Sequence, residues 1–216
     1  MSNKKVFIVN NYGEEYTLMF EKRGWEIVTE LKDADLLQFV GGSDVDPFIY
    51  AHHRHRLTTS VIERDLTEKL FFLAALNASL PMAGICRGGQ FLNVMCGGTL
   101  WQHVEGHRGS HKATYTDFRN KRTIKVTSTH HQMMKPRNLI SAYIVLMVAH
   151  LKMRREGCTS LEKKKLNIIV TDAKNDMEAL YYKEENALCF QPHPEFGGEK
   201  KLASLYFSYI DRLLMK

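Results

Sequence analysis

The segment 82–98, MAGICRGGQFLNVMCGG, places a cysteine between glycines where an apolar run gives way to a helix-like one. Its residues 84–88, GICRG, have the form G-x-C-x-G, the thiol counterpart of the G-x-S-x-G nucleophile turn. The glycines permit a sharp turn in which larger neighbouring side chains would collide. The partial positive charge at a helix start favours the thiolate, the reactive form of cysteine. The pattern predicts that Cys86 is a nucleophile and that the backbone N–H of Arg87 faces a developing oxyanion.

A cysteine between glycines can also be buried and inert, so the chemistry needs a base. The segment 190–195, FQPHPE, offers one. Pro194 favours an extended conformation at His193, and residues two apart in an extended run share a face. His193 and Glu195 should therefore project together, which leaves one ring nitrogen to take the thiol proton. The alternative is a rigid proline-rich loop with an incidental histidine.

The elements that must position these residues can be predicted from the hydrophobic pattern. Strands are predicted at 4–10, 35–42 and 80–86, and helices at 14–25, 60–79 and 88–98. This βαβα alternation predicts an α/β protein with a parallel sheet covered by helices. Further strands are predicted at 123–128, 141–149, 166–172, 177–183 and 187–191, and a closing helix at 199–214. Residues 1–216 are expected to form one domain, with a polar, charged insertion at about 150–166.

Composition excludes several classes of protein. The chain has 216 residues, 44% hydrophobic and 25% charged, which is typical of a globular domain. Its longest apolar run, 139–151, is shorter than the roughly 20 residues of a membrane span, and the apolar run near the amino terminus is too short for a signal peptide. A cytoplasmic protein without a membrane partner is expected. The net charge is +6, but aromatic residues do not interleave with the basic clusters, so nucleic acid is not an expected partner.

Several motifs together resemble one known family. GICRGGQFLNVMCGGTLWQ resembles the nucleophile motif of class I glutamine amidotransferases and is closest to their gamma-glutamyl hydrolase branch, which includes gamma-glutamyl-gamma-aminobutyrate hydrolases. GGSDVDPFIY, ERD, THHQ, and MEALYY followed by FQPHPE are similar to further motifs of that branch and occur in the family order. The resemblance implies a flavodoxin-like three-layer sandwich with a mainly parallel central sheet.

The resemblance also implies a role for each matching position. Cys86 corresponds to the nucleophile, His193 to the base, and Glu195 to the residue that orients the base. The backbone N–H groups of Gly42 and Arg87 correspond to the oxyanion hole. The implied set is therefore a Cys-His-Glu triad with two backbone donors.

Other matching positions bear on the substrate. Gln90 corresponds to a residue that lines the glutamyl pocket, and His130 and His131 to a loop beside the site. Gly89 replaces a bulkier residue, which predicts a roomier pocket wall, and Pro192 replaces a tryptophan. These departures put the substrate in doubt and leave the reaction type unchanged.

Three histidines have a spacing that could form a metal site. His103, His107 and His111 recur at every fourth position and on one helix would face a metal together. Gly106 and Gly109 argue against a continuous helix there, and the family resemblance implies a loop. Neither a metal nor an organic cofactor is expected.

Three functions remain open at this stage. The first is hydrolysis of a gamma-glutamyl amide, of glutamine or of a gamma-glutamyl amine, through a gamma-glutamyl thioester. The second is a glutaminase subunit that delivers ammonia to a synthetase on a separate chain. The third, a binding protein without turnover, is disfavoured by the intact triad. The expected partner is a small gamma-glutamyl substrate, and a synthetase subunit or a second copy of the chain would be further partners.

Overall fold

The computed structural model describes residues 3–11, 13–107, 109–138, 140–149, 153–163, 165–173, 176–196 and 200–215. In chain order the strands are β1 Lys5–Val9, β2 Glu26–Val28, β3 Leu36–Phe39, β4 Met82–Ile85, β5 Thr99–Trp101, β6 His103–Val104, β7 Gly109–Thr116, β8 Lys121–Ser128, β9 Met133–Lys135, β10 Tyr143–Ala149, β11 Met153–Cys158, β12 Ile168–Ala173, β13 Asp176–Tyr182 and β14 Ala187–Phe190. The α-helices are α1 Glu14–Glu21, α2 Ile62–Asn77, α3 Arg87–Met95 and α4 Lys200–Tyr209, and a π-helical turn, Ile210–Leu214, continues α4.

Within the described ranges, nine strands form one central sheet in the order β2-β1-β3-β4-β14-β13-β10-β7-β8. The pairs from β2 to β14 are parallel, which confirms the predicted α/β class. The pairs from β14 to β8 are antiparallel, so the sheet is mixed, and its parallel half carries the cysteine. Every residue of β3, β4 and β14 is buried, as expected for parallel strands covered on both faces.

Helices cover both faces of the parallel half and give the three layers. Phe20 of α1 and Tyr206 of α4 belong to one hydrophobic cluster, and Phe72 of α2 and Phe91 of α3 belong to another. Successive residues of a strand point to opposite faces, so Leu36 and Leu37 of β3 fall in different clusters. At the carboxyl end of the parallel strands, the loops that follow β3, β4 and β14 come together, which is where α/β sheets bind ligands.

Two small sheets lie outside the central one, in the order β12-β11-β6 and β5-β9. The segment expected as an insertion, 150–166, contributes a strand of its own, β11, which the sequence did not predict because it is mostly polar and charged. Residues 150–152 and 164 lie outside the described residues. The region of His103, His107 and His111, expected to be a loop, instead contains β6 and β7. No helix in the described part of the chain is long and apolar enough to cross a bilayer.

Candidate active site

Cys86 stands in a strained turn between β4 and α3. Its φ is +51°, a left-handed value that is uncommon for a residue other than glycine. A Cβ on Gly88 would stand 2.5 Å from the carbonyl oxygen of Phe39, and one on Gly84 would run into the backbone of Gly88. The backbone N–H of Cys86 donates to the Phe190 carbonyl at 2.7 Å. The glycines of the motif therefore let the turn pack directly against β3, while β14 holds its backbone.

Arg87 begins α3, and its side chain turns inward, away from any role at the pocket. The guanidinium is buried and forms ion pairs with Asp65 and Glu68 of α2. The backbone N–H of Arg87, at the first position of the helix, has no acceptor within the helix. The ion pairs fix the start of α3 and so fix where that N–H lies. The buried arginine side chain is therefore paired with two carboxylates, and its backbone N–H remains at the start of the helix.

The loop after β3 approaches the cysteine from the other side. Gly42 has a φ of +141°, and a Cβ there would run into the guanidinium of Arg64. Arg64 donates to the carbonyls of Val40 at 3.2 Å and Gly41 at 3.0 Å. A Cβ built on Gly41 would stand 3.5 Å from His193 Cε1 and 3.8 Å from the Cβ of Cys86. Gly41 therefore lies against both candidate catalytic side chains, and Arg64 holds the 40–42 loop in place.

His193 is placed between a carboxylate and the sulfur. Its Nδ1 bonds Glu195 Oε1 at 2.5 Å, and its Nε2 bonds Thr129 Oγ1 at 2.8 Å. Burial alone would lower the pKa of His193, but its interactions with the neighbouring Cys86 and with Glu195 raise it to about 10. Phe196 stacks on the ring with centroids 4.5 Å apart. The imidazole is thus oriented on both edges and favours its protonated form.

Three residues that sequence reasoning missed complete this arrangement. The Tyr16 hydroxyl accepts a hydrogen bond from the Gly41 N–H at 3.0 Å. Burial, and then the charge of Glu195, raise the pKa of Tyr16, which keeps the phenol protonated. Thr129 and Arg64 fall within motifs that resembled the family, THHQ and ERD, but the sequence alone gave them no task. Their positions could have been flagged, whereas Tyr16 lies on an ordinary amphipathic helix.

Gln90 is linked to the sulfur of Cys86 by hydrogen bonds through the side-chain amide of Gln191. Its Nε2 donates to the Gln132 carbonyl and to Gln191 Oε1, both at 3.0 Å. Gln191 in turn donates its Nε2 to Cys86 Sγ at 3.7 Å. Gly89 does not border this region, because a Cβ there would meet the Phe190 backbone N at 2.8 Å. The expectation that Gly89 makes the pocket roomier is therefore wrong.

The two adjacent histidines diverge. His131 is partly exposed and bonds Asp44 Oδ2 at 3.0 Å through Nε2. His130 is buried, and its Nδ1 donates to the Gln132 carbonyl at 2.8 Å. Its other nitrogen turns toward the interior, where potential metal-ligand atoms of His107, His130 and Glu178 all lie within 4.8 Å of one another.

The chain is similar in sequence to the members of one protein family. Residues 6–195 match the model of the family described as Peptidase C26. The glutamine amidotransferase-like protein YvdE of Lactococcus lactis subsp. lactis is 29% identical over 172 residues, which cover 76% of this chain and 67% of that protein. A YvdE homolog of Lactococcus lactis subsp. cremoris is 45% identical over 71 residues, 32% of this chain and 38% of the relative.

Solved structures show the same fold at low identity. A glutamine amidotransferase of Thermotoga maritima superposes with a TM-score of 0.66 at 14% identity, covering 100% of both chains. A chain from the structure of PurLQS of the same organism has a TM-score of 0.58 at 15% identity, covering 99% of this chain and 100% of that one. At these identities the likeness supports the fold alone.

Proposed function

Because this chain belongs to the Peptidase C26 family, we propose that it is a cysteine-dependent enzyme that hydrolyses a gamma-glutamyl amide bond. The observation that carries the proposal is the arrangement of Cys86, His193 and Glu195. The sulfur follows β4 and the imidazole follows the adjacent strand β14. Both side chains lie against Gly41, and the Glu195 carboxylate is hydrogen-bonded to the far edge of the ring. Acyl transfer requires a nucleophile, a base beside it and a group that orients the base, and the three side chains are arranged in that order.

In the first step, the Cys86 thiolate attacks the side-chain carbonyl carbon of the gamma-glutamyl group. The negative charge that develops on the carbonyl oxygen faces the backbone N–H groups of Gly42 and Arg87, and one such donor is worth roughly 3–4 kcal/mol. His193 gives its proton to the nitrogen of the leaving amine. The C–N bond breaks, and a gamma-glutamyl thioester and a free amine, or ammonia, result.

In the second step, His193 is neutral and accepts a proton from a water that attacks the thioester carbonyl. The C–S bond then breaks, glutamate leaves, and the thiolate and imidazolium are formed again. Glu195, bonded to Nδ1, fixes the orientation of the ring, leaves Nε2 to exchange the proton and stabilises the charged ring in both steps. The raised pKa of His193 supports this pairing, because the resting imidazolium is the acid that the first step requires.

We assign the glutamyl group to the side of the sulfur bordered by Gln90 and the 130–131 loop. His131 contributes its partly exposed ring, and His130 contributes the backbone of the loop. The small sheet reaches the same loop, since the Val104 N–H donates to the His131 carbonyl at 2.7 Å. Strand β11, which pairs with β6, therefore forms a wall near the loop, where the amine part of the substrate would be selected.

The test is release of amine from a panel of gamma-glutamyl amines and of ammonia from glutamine by the purified protein. Cys86→Ala should abolish release while its melting temperature stays near that of the wild type. Cys158→Ala, a buried thiol in β11, is the matched control and should retain activity. Brief reaction followed by mass spectrometry should show one glutamyl group on the peptide that contains Cys86. Turnover by Cys86→Ala would refute the assignment.

A second candidate is a glutaminase subunit that passes ammonia to a separate synthetase. The supporting observation is the fold shared over nearly the full length with a chain from the PurLQS structure. In that case the isolated protein should hydrolyse glutamine weakly and should be stimulated by its partner. Strong, partner-independent release from gamma-glutamyl amines would favour the first candidate.

A further inference from the structure

A buried group of histidines and carboxylates lies behind the pocket and takes no part in the proposed reaction. The ligand atoms of His107, His130 and Glu178 lie within 4.8 Å of one another, and all three residues are buried. They are far apart in the chain, in the loop before β7, the loop after β8, and β13. The fold alone brings them together.

His130 presents one nitrogen to this group. Its Nδ1 is committed to the Gln132 carbonyl at 2.8 Å, which fixes the tautomer and leaves a lone pair on Nε2. That Nε2 is fully buried and has no hydrogen-bond partner among the residues that the structure describes. A ring nitrogen with this tautomer and no partner is available to bind a metal ion.

The other two candidate ligands each have an orienting partner as well. His107 Nε2 bonds Asp176 Oδ2 at 2.8 Å, and its Nδ1 lies 3.8 Å from Glu178 Oε1. Glu178 Oε1 also accepts from His111 Nε2 at 2.9 Å. Its buried Oε2 has no hydrogen-bond partner within the described ranges of the chain. A histidine held by a carboxylate or carbonyl through its second nitrogen is the usual arrangement around protein-bound metals.

Charge points the same way. Asp176 and Glu178 are two fully buried carboxylates, and Arg155 forms an ion pair with Asp176. A buried carboxylate is costly unless it is paired or coordinates a metal. A divalent cation between Glu178 and the two imidazoles would add positive charge beside these carboxylates and would give a partner to His130 Nε2 and Glu178 Oε2.

We propose that His107, His130 and Glu178 bind a divalent transition-metal ion, with zinc the best match. Two imidazole nitrogens and one carboxylate oxygen form a ligand set that zinc uses in proteins with a water as the fourth ligand. Tetrahedral zinc holds such ligand atoms about 3.3 Å apart, so the separations here require only side-chain adjustments of ~1 Å. This departs from the sequence-based expectation, because the ligands do not follow the i, i+4 spacing of His103, His107 and His111.

The proposed metal site is connected to the proposed active site by one backbone carbonyl, that of Gln132. The Gln132 oxygen accepts from both His130 Nδ1 and Gln90 Nε2. A metal bound to His130 would hold the 130–132 loop, and with it Gln90, in a fixed position. The role of the ion is thus structural support of the pocket, and the proposed reaction requires no step at the metal.

The test uses zinc and cobalt as probes on the full chain in a Cys86→Ala background, because the Cys86 thiol and the nearby His193 could themselves bind zinc. The protein is stripped with a chelator, reloaded, dialysed and analysed for metal by mass spectrometry. We expect about one zinc per chain, visible d–d absorption of the cobalt form in the range of four-coordinate nitrogen and oxygen ligands, and a higher melting temperature with metal than without.

Glu178→Gln keeps the size of the side chain and a hydrogen bond to His111 but removes the charged ligand, and His130→Asn removes one imidazole. Both should lose at least tenfold in zinc affinity, whereas His53→Gln, outside the cluster, should lose none. No bound metal in the Cys86→Ala protein, or undiminished affinity in Glu178→Gln, would overturn the proposal. Should His130→Asn fail to fold, the Glu178→Gln result and the cobalt spectrum decide. Because no readout is activity, failure here is distinct from failure of the proposed reaction.

Discussion

The charge on His193 can be measured, and its dependence on Cys86 tests the pairing on which the proposed reaction depends. Burial would lower the pKa of His193, whereas its interactions with Cys86 and Glu195 raise it from its usual 6.5 to about 10. The difference corresponds to ~5 kcal/mol in favour of the imidazolium. His193 should therefore stay protonated throughout the neutral range.

Cys86→Ala removes the partner that contributes most to raising this pKa. Burial then opposes Glu195 alone, so the titration midpoint of His193 should fall by roughly 1–3 pH units. The direction in which activity changes with pH follows from the role of the His193 ring as an acid. In the wild type, kcat/KM should persist to near pH 10 and decline above it, as the imidazolium loses its proton.

The assay is a pH titration of the histidine Cε1–H resonances by two-dimensional NMR. The signal of His193 is identified by its absence in His193→Gln. Cys158→Ala serves as the control, and its thiol in β11 should leave the midpoint unchanged. A wild-type midpoint near 6.5, or the same midpoint in Cys86→Ala and wild type, would refute the pairing.

Two further substitutions test how the cysteine turn is supported. Gly88→Ala places a Cβ 2.5 Å from the Phe39 carbonyl oxygen and should lower the free energy of unfolding in urea by ~3 kcal/mol. Gly24→Ala, at a positive φ with nothing within 4 Å, should cost only about 1–2 kcal/mol, and equal losses would contradict the steric argument. Arg87→Met leaves the Asp65 carboxylate buried without its cation and should cost roughly 3–5 kcal/mol at neutral pH. That loss should shrink in acid, where Asp65 becomes protonated; a loss independent of pH would count against the ion pair.

Local sequence predicted the parts of the site that local geometry determines. The glycines at 84 and 88 predict a sharp turn with no room for side chains. In the structure a Cβ added at either position would collide with neighbouring backbone atoms. The alternation of His193 and Glu195 predicts a shared face, and the two side chains are hydrogen-bonded. The parallel half of the sheet followed from the βαβα order in the same way.

The remaining features depend on contacts that no short window contains. The Arg87 ion pairs need α2 and α3 to pack in one register, and nothing in the motif reveals which carboxylates will meet the guanidinium. Strand β11 was missed because its side chains, MRREGC, carry no alternation of apolar and polar residues. The His107, His130 and Glu178 group joins three distant segments, so no spacing within one segment of the sequence reveals it.

The two halves of the sheet divide the work of the site. The parallel half carries Cys86 and the backbone N–H groups of Gly42 and Arg87 that we propose as donors, because strand ends and a helix start converge there. The antiparallel half supplies the 129–132 loop and Glu178, and β13 joins the halves: the Gln191 N–H donates to the Glu178 carbonyl at 2.8 Å. Gln191 thus contacts β13 through its backbone and Cys86 through its side chain. A substitution at Glu178 would therefore be linked to the sulfur only indirectly, through Gln191. We expect such a variant to change KM for the gamma-glutamyl substrate more than it changes kcat.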